Sequence, residues 1–247
     1  MARYLERLDK LLFDKGLAPS RERAQSLIMA AKVLVEGKVA AKAGHRVPCD
    51  SHIQVIEEAI PYVSRGGLKL EHAIRSFPIE VAGKTAMDVG ASTGGFTDCL
   101  LSFGARKVYA VDVGYGQLAL KLRNDPRVVV LERKNIRYLA ADLVPESIAL
   151  ATIDASFISL KLVLPAVMNF LESGAVLISL IKPQFEAGRA EVSKGAGVIR
   201  DPEVHGKVCE GVAEFAAALG FRILGTIGSP ILGPKGNREF LMAAIAP

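Results

Sequence analysis

The fold is decided by residues 84–96, which read Lys84-Thr-Ala-Met-Asp-Val-Gly-Ala-Ser-Thr-Gly-Gly-Phe96. The first half has the apolar pattern of a buried strand that ends at Asp88, and the second half is a glycine-rich loop. A second strand pattern, 108–112, also ends in an acid, Asp112. Glycines let a ligand approach the backbone, and an acid at the end of the next strand can accept hydrogen bonds from a ribose diol. The stretch therefore predicts a site for a nucleoside cofactor.

Strand and helix patterns alternate from residue 85 to the end of the chain. The predicted strands are 86–88, 108–112, 128–131, 150–153, 176–181, 222–226 and 240–245. A helical apolar pattern, 68–77, precedes the first of them. This alternation predicts a doubly wound, Rossmann-like α/β sheet, whose ligands would collect at the carboxyl edge of the strands.

A smaller module precedes the sheet. Four leucines, from Leu5 to Leu12, recur at helical spacing, and Gly16 stands where a left-handed residue would end that helix. A second helix is predicted after Ser20, and the strand patterns 33–39 and 52–56 follow it. These elements predict a small α+β domain.

The charge distribution also separates the two parts. Met1 to Arg46 holds ten Lys or Arg against five Asp or Glu, and the rest of the chain holds 21 of each, so the formal net charge of +5 lies at the N-terminal end. Such an excess favours a polyanionic partner, although basic residues can also simply solvate a surface. We expect an RNA-binding domain over 1–60, a linker over 61–67 and the α/β domain over 68–247.

Composition argues against two other classes of protein. Three scattered Cys and four His without ligand spacing predict neither a disulfide framework nor a metal site. The longest apolar runs, such as 160–170, are shorter than the roughly 20 residues of a membrane-spanning helix, and the N-terminus lacks a signal-peptide pattern. We therefore expect a cytoplasmic protein with no membrane segment.

Two kinds of nucleoside cofactor use a glycine-rich loop, and the spacing separates them. Dinucleotide dehydrogenases use G-x-G-x-x-G, but here Ser92 stands where the second glycine would admit a pyrophosphate. Asp88 would repel a pyrophosphate, whereas the sulfonium and ammonium groups of S-adenosylmethionine favour a nearby acid. In this interpretation Asp112 binds the ribose diol and Asn135 lines the adenine pocket; alternatively, Asp88 only caps the loop. The loop favours a methyltransferase over a dehydrogenase.

Charged residues adjoin the later predicted strands. Asp154 and Lys182 each come directly after a strand, Glu239 comes directly before the last strand, and Lys69 lies on the helix before the first. All four can face one crevice if the last strand is antiparallel to the others. Pro183 keeps the chain extended at Lys182.

Two lysines and two acids beside a methyl donor suit an alcohol nucleophile. A hydroxyl is a weak nucleophile until its proton is removed or its oxygen is oriented, and an amine acts as a base only where burial or a second cation lowers its pKa. Lys182 is the candidate base, with Lys69 and the sulfonium as neighbouring cations. Asp154 and Glu239 would position the ammonium groups and the hydroxyl. The alternative is a structural ion-pair network.

The N-terminal part resembles a known RNA-binding module over about residues 3–60. The segments Arg7-Leu-Asp-Lys-Leu-Leu, Ser20-Arg-Glu-Arg-Ala-Gln-Ser-Leu-Ile and Val35-Glu-Gly-Lys-Val are similar to the module first described in small-subunit ribosomal protein four. Arg and Lys bind phosphates well because they release counterions from the nucleic acid. The resemblance implies contacts with RNA, and the candidate residues, including one at the start of the second domain, are Arg3, Arg7, Arg21, Arg23, Lys32, Lys38 and Arg65.

Motifs along nearly the whole chain resemble the TlyA family, often catalogued as hemolysins. They are Arg65-Gly-Gly-Leu-Lys-Leu, Asp88-Val-Gly-Ala-Ser-Thr-Gly-Gly-Phe-Thr, Asp112-Val-Gly-Tyr-Gly-Gln-Leu, Arg123-Asn-Asp-Pro-Arg-Val, Asp154-Ala-Ser-Phe-Ile-Ser-Leu, Lys182-Pro-Gln-Phe-Glu and Gly233-Pro-Lys-Gly-Asn. The second domain is similar to FtsJ-type ribose methyltransferases. The resemblance implies methyl transfer from S-adenosylmethionine to cytidine 2'-hydroxyls of small-subunit ribosomal RNA, with large-subunit RNA left open as a second substrate. The implied catalytic tetrad is Lys69, Asp154, Lys182 and Glu239.

The expected partners and ligands follow from these motifs. The partners are ribosomal RNA or ribosomal subunits, and the chain is expected to be a monomer or weak dimer. The segment 59–63 lacks the tryptophan of the family's linker, so coupling of RNA docking to cofactor binding is not implied. The residues expected to bind S-adenosylmethionine are Asp88, Gly90, Ala91, Ser92, Thr93, Gly94, Gly95, Phe96, Asp112, Val113, Asn135 and Asp154.

Two alternatives from other classes remain open at this point. One is a membrane-lytic protein, suggested only by the family's catalogue name. The other is an RNA-binding protein that does not catalyse methyl transfer. Residues 188–200 are expected to form a loop beside the crevice.

Overall fold

The computed structural model describes residues 4–18, 20–29, 32–40, 42–55, 60–188, 195 and 197–247. Most of the predicted loop 188–200 therefore lies outside the described residues. The chain divides into two compact units, Met1–Ile60 and Pro61–Pro247.

The first unit is a small α+β structure. Its elements are β1 (Leu5–Arg7), α1 (Leu8–Asp14), α2 (Arg21–Met29), β2 (Val33–Val35), β3 (Lys38–Val39), β4 (Arg46–Pro48) and β5 (Ile53–Val55). Strands β3, β2 and β5 form an antiparallel sheet in that order, and β1 pairs with β4. Buried apolar residues of α1, α2 and the strands, such as Leu8, Leu12 and Ile28, form its core.

The first helix begins later than its leucine pattern predicts. Leu5 lies in β1 and pairs with Pro48 of β4, so the helix starts only at Leu8. Local spacing cannot detect a strand partner some 40 residues away. The predicted helix end is confirmed, because α1 stops at Asp14 and Gly16 has a φ of +69°.

The second unit is a seven-stranded sheet with helices on both faces. Its strands are β6 (Thr85–Val89), β7 (Lys107–Val111), β8 (Val128–Leu131), β9 (Ile148–Ile153), β10 (Leu171–Ile181), β11 (Arg222–Gly228) and β12 (Phe240–Ile245). Its helices are α3 (Gly66–Ser76), α4 (Gly95–Ser102), α5 (Leu120–Arg123), α6 (Leu160–Met168), α7 (Pro183–Glu186) and α8 (Pro202–Ala218). Short 3-10 turns lie at Ile136–Tyr138, Ala141–Leu143 and Pro234–Gly236.

The sheet has the order β11-β12-β10-β9-β6-β7-β8. Strands β6 to β10 are parallel, whereas β12 runs antiparallel to both of its neighbours. Adjacent strand residues face opposite layers: Ala86 packs with α3 and α4, and Met87 packs with α6 and α8. The predicted doubly wound α/β architecture, with all seven predicted strands, is confirmed.

The segment predicted as a linker, 61–67, is ordered against the second unit. The Val63 backbone N–H donates to Asp98 Oδ2 at 2.7 Å, and Tyr62 Oη donates to Glu71 at 3.0 Å. Gly66 and Gly67 are already the first residues of α3. Glycine disfavours a helix, but a larger residue does not fit at Gly67, because its Cβ would lie 2.3 Å from the Tyr62 ring.

This contact makes the start of α3 testable. We expect Gly67→Ala to lower the free energy of unfolding by about 1–3 kcal/mol, because the new methyl overlaps the Tyr62 ring. Gly66→Ala is the matched control: its nearest neighbour would be Ser64 Oγ at 3.2 Å, and alanine favours a helix by up to about 1 kcal/mol. Urea denaturation of both variants checks this, and equal stabilities would contradict it.

Candidate active site

The site begins where parallel strands end at one edge of the sheet. Val89 of β6 is in register with Val111 of β7 and with Ile153 of β9. The next residue of each strand therefore lies at the same edge, and two of these residues are Asp112 and Asp154. Backbone hydrogen bonds continue past the strands: Asp154 N–H donates to the Val89 carbonyl at 2.9 Å. This is the edge at which open α/β sheets bind ligands.

Strands β10 and β12 bring two further charged residues to this edge, because β12 runs antiparallel to β10. Ile181 of β10 pairs with Phe240 of β12, so Lys182 leaves β10 where Glu239 enters β12. The sequence placed Glu239 here on the condition that the last strand was antiparallel, and that condition is met. Lys69 of α3 forms an ion pair with Glu239.

The loop after β6 lies against the backbone of β9. Gly90 has a φ of +84°, and its N–H donates to the Val111 carbonyl at 2.8 Å. A Cβ at this position would lie 2.7 Å from the Asp154 carbonyl oxygen. Only glycine fits here, which leaves the backbone bare where a ligand would approach.

Asp88 lies beneath this loop rather than at its surface. Its carboxylate is fully buried and accepts hydrogen bonds from Thr97 Oγ1 at 2.7 Å and Thr152 Oγ1 at 3.1 Å. Burial raises the pKa of Asp88 to about 7. The predicted contact of this acid with a cofactor does not fit its enclosed position; instead it ties β6 to α4 and β9.

A cavity of about 470 Å³ opens beside the loop. This volume is within the usual range of small-molecule sites, about 300–1,000 Å³. The predicted cofactor residues on its wall are Gly90, Ser92, Asp112, Val113, Asn135 and Asp154. Other wall residues, which the sequence did not predict to bind the cofactor, include Gln117, Lys134, Ile136, Ser156, Phe157 and Val163.

The polar groups of this cavity are held in fixed positions. Asp112 Oδ2 accepts from the Ser92 backbone N–H at 2.8 Å, and Asp112 Oδ1 accepts from the Gly114 N–H at 2.6 Å. Asn135 Oδ1 accepts from the Arg137 N–H at 3.0 Å. Each carboxylate oxygen of Asp112 has further lone pairs, so it can also accept hydrogen bonds from a diol.

A smaller cavity of about 170 Å³ adjoins the first. The two share Gly90, Ser92 and Asp154 on their walls, and Lys69 lines the smaller one. The remaining predicted cofactor residues on its wall are Ala91, Thr93, Gly95 and Phe96. Gly94 lines neither cavity; its φ of +95° turns the chain into α4.

Two ion pairs lie at this edge, one of them buried and the other partly exposed at Asp154. Lys69 Nζ is 2.6 Å from Glu239 Oε2, with Glu239 fully enclosed, and Lys182 Nζ is 2.5 Å from Asp154 Oδ1. Lys182 also donates to Ser156 Oγ at 2.8 Å. The other oxygen of Glu239, Oε1, accepts no hydrogen bond from any residue that the structure describes. The four residues predicted to carry catalysis thus form two charge pairs beside the cavities.

One wall residue has an unusual conformation that sequence reasoning did not use. Phe157 has a φ of +64° and is 90% exposed, although it is a large apolar residue. Its ring lies 5.1 Å from that of Phe185. A positive φ in a bulky residue is rare and clusters at functional sites. In the sequence it stands within the motif Asp154-Ala-Ser-Phe-Ile-Ser-Leu, which assigns it no role of its own.

The candidate RNA-binding residues that the structure describes are all exposed. They are Arg7, Arg21, Lys32, Lys38 and Arg65. Arg65, next to α3, donates to the Leu232 carbonyl at 3.3 Å. Arg3 and the side chain of Arg23 lie outside the described residues.

In the part of the chain that the structure describes, no three His, Cys, Asp or Glu side chains come together as a metal site would require. Among the helices of that part, none has both the length and the apolar character to cross a bilayer.

Comparison with known proteins adds to this geometry. The chain matches the family of FtsJ-like methyltransferases over residues 62–245 and the S4 domain over residues 6–49. The 16S/23S rRNA (cytidine-2'-O)-methyltransferase TlyA of Mycobacterium tuberculosis is 45% identical over 237 residues, which are 96% of this chain and 88% of that protein. Hemolysin A of Brachyspira hyodysenteriae is 44% identical over 237 residues, 95% of this chain and 98% of that protein. A solved structure of a proposed hemolysin from Streptococcus thermophilus has a TM-score of 0.78 and 44% identity, and covers 99% of this chain and 90% of that chain.

The buried Asp88 gives a pH-dependent prediction. Its pKa is about 7 in the fold against 3.8 for an ordinary Asp, so the folded state binds more protons between these values and loses stability as the pH rises. In the Asp88→Asn variant, the side chain at this position no longer takes up or releases a proton. From pH 5 to pH 8, we expect the stability of the unsubstituted protein to fall by about 2–3 kcal/mol relative to this variant. Denaturant unfolding at both pH values measures the difference; a pH-independent difference would contradict the assignment.

Proposed function

We propose that this chain, which belongs to the FtsJ-like methyltransferase family, transfers a methyl group from S-adenosylmethionine to the 2'-hydroxyl of a cytidine in ribosomal RNA. The observation that carries the proposal is the presence of two ion pairs, Lys69 with Glu239 and Lys182 with Asp154, beside a cavity with a bare glycine backbone. The ribosomal substrate is supported by the relative from Mycobacterium tuberculosis, which is named for it.

The residues of the larger cavity fit the proposed cofactor. Asp112 presents a fixed carboxylate for a ribose diol, and Asn135 stands on the same wall. Gly90 leaves its backbone open to a ligand. Asp154 lines both cavities and adds negative charge, which suits a cationic ligand better than a pyrophosphate. When bound, S-adenosylmethionine supplies an electrophilic methyl group on a sulfonium.

The charged residues act on the acceptor alcohol. Lys182 Nζ is held by Asp154 and Ser156. Paired with Asp154 it is an ammonium, so it first releases one proton to solvent and then, as a neutral amine, receives the proton of the 2'-hydroxyl. Asp154 then stabilises the ammonium that results. Glu239 holds Lys69, which lines the smaller cavity, so the enclosed carboxylate acts on the substrate only through this lysine. Positioning of this kind lowers the barrier because the reactants are already oriented.

The RNA substrate is further supported by the first unit and by one wall residue. The S4 domain match, residues 6–49, covers most of the basic segment of the first 46 residues, which holds ten Lys or Arg against five Asp or Glu. Phe157 presents an exposed aromatic face at the cavity, and bases of single-stranded or unpaired RNA stack on such faces. In this arrangement, the base that stacks on Phe157 and the ribose that accepts the methyl group would belong to the same nucleotide of the RNA.

A direct assay tests the proposal. Purified protein, ribosomal subunits and methyl-labelled S-adenosylmethionine should give label at ribose 2'-oxygens of cytidine. Lys182→Met should reduce the rate by about 10²–10⁴-fold, the usual contribution of a general base. Lys84→Met, just before β6 at the opposite edge of the sheet, is the control and should retain activity. Label on a base, or full activity of Lys182→Met, would contradict the proposal.

A second variant tests the position of Glu239. A Cβ on Gly233 would lie 2.0 Å from Glu239 Oε1, so Gly233→Ala must displace this carboxylate. We expect the turnover rate to fall by about tenfold or more, the effect of a misplaced catalytic group. Gly228→Ala is the control, because no atom lies within 4 Å of its added Cβ. Single-turnover methylation rates for both variants give the comparison, and equal rates would exclude a role for this contact.

A further inference from the structure

One buried carboxylate in the first unit holds two of the arginines predicted to contact RNA. The Asp9 side chain is fully buried, whereas those of Arg7 and Arg21 are each 47% exposed. Arg7 Nε donates to Asp9 Oδ1 and Arg7 Nη2 to Asp9 Oδ2, both at 3.0 Å. Arg21 Nη2 donates to the same Oδ2 at 3.3 Å. A single acid thus joins guanidinium groups from β1 and α2.

Further contacts fix this acid in place. Gln25 Nε2 donates to Asp9 Oδ2 at 2.8 Å, and the Lys10 backbone N–H donates to Asp9 Oδ1 at 2.9 Å. The hydrogen bonds from Arg7, with those from Gln25 and Arg21, hold the pKa of Asp9 well below its usual range. The Arg7 guanidinium also lies against Gly44, where an added Cβ would be 3.7 Å from its nitrogens. The carboxylate is therefore charged and the arginines around it are oriented.

We propose that Asp9 is a positioning residue for RNA binding, which orients Arg7 and Arg21 as a paired guanidinium clamp for phosphates of the RNA backbone. This inference rests on the proposed function, because it takes RNA as the partner of the first unit. Asp9 would thus be an acidic residue in an RNA-binding surface for which the sequence predicts only basic residues.

The hydrogen-bonding capacity of the two arginines allows such a clamp. A guanidinium has five N–H donors, of which Arg7 gives two to Asp9 and Arg21 gives one. The others can donate to phosphate oxygens, with a net charge of +1 left on the three groups. An exposed arginine loses rotamer freedom when it binds, and orientation in advance reduces that cost.

A charge-only role and an orienting role predict opposite effects of removing Asp9. Asp9→Asn takes away one negative charge, so if Arg7 and Arg21 act only through their charge, RNA binding should become tighter. If Asp9 orients them, binding should weaken although the protein has become more positive. Asp14→Asn is the matched control: it makes the same charge change on α1, but Asp14 is 46% exposed and lies 3.7 Å from Lys10.

The experiment is a filter-binding titration of the full chain with labelled ribosomal RNA at several salt concentrations. We expect Asp9→Asn to weaken binding by about tenfold, the loss of one charge-assisted hydrogen bond, and to lower the salt slope by about 1. Asp14→Asn should bind as tightly as the unsubstituted protein or more tightly. Equal or tighter binding by Asp9→Asn would overturn the inference. Failure of the unsubstituted protein to bind RNA would instead contradict the proposed function.

A second pair of variants keeps the test valid if Asp9→Asn does not fold, as judged by circular dichroism. Arg7→Lys preserves the charge but loses the two-point contact with Asp9, so it should also weaken RNA binding. Arg46→Lys, at the position paired with Arg7 across β1 and β4, is the control and should have little effect. Equal binding by these two variants would overturn the inference.

Discussion

The site depends on backbone hydrogen bonds that continue the register of the sheet beyond the strands. Gly90 N–H donates to the Val111 carbonyl, Asp154 N–H to the Val89 carbonyl and Asp112 N–H to the Leu131 carbonyl, at 2.8–3.1 Å. These bonds hold Asp112, Asp154 and the glycine-rich loop after β6 at the carboxyl edge of the parallel strands. The close approach of Gly90 to the Asp154 carbonyl also depends on them, because a slip of one residue would turn each side chain to the other face.

The ion pairs at this edge are better explained by position than by stability. Removing Lys69 and Glu239 from water costs several kcal/mol per ion, and mutual attraction only offsets that cost. A hydrophobic pair of the same size would stabilise the fold equally well. What the charges provide is a fixed direction for each amine and carboxylate beside the cavities, and in the proposed function these directions orient the acceptor alcohol. Asp9 in the first unit has the same physical character, since a buried acid holds exposed cations in place.

Most of the second unit could be predicted, because its strands are continuous apolar runs and three of the candidate site residues come directly after a strand. This is why Asp112, Asp154 and Lys182 were located without a structure. Asp88 shows the limit of such reasoning: the predicted strand ended at this residue, but β6 continues to Val89, so Asp88 lies within the strand and points into the core, where Thr97 and Thr152 enclose it. The strand at Leu5 was missed for a related reason: its partner, Pro48, is distant in sequence.

The sequence alone indicated the order of the strands in the second unit, the glycine loop, the four candidate charged residues and the basic character of the first 46 residues. These features are local, because hydrophobic period, turn residues and charge depend only on neighbours along the chain. Only the tertiary structure decided that Lys69 pairs with Glu239, that Lys182 pairs with Asp154, and that Asp9 joins two arginines. Pairings of this kind depend on strand direction and on side-chain distances across the fold, which no local pattern encodes.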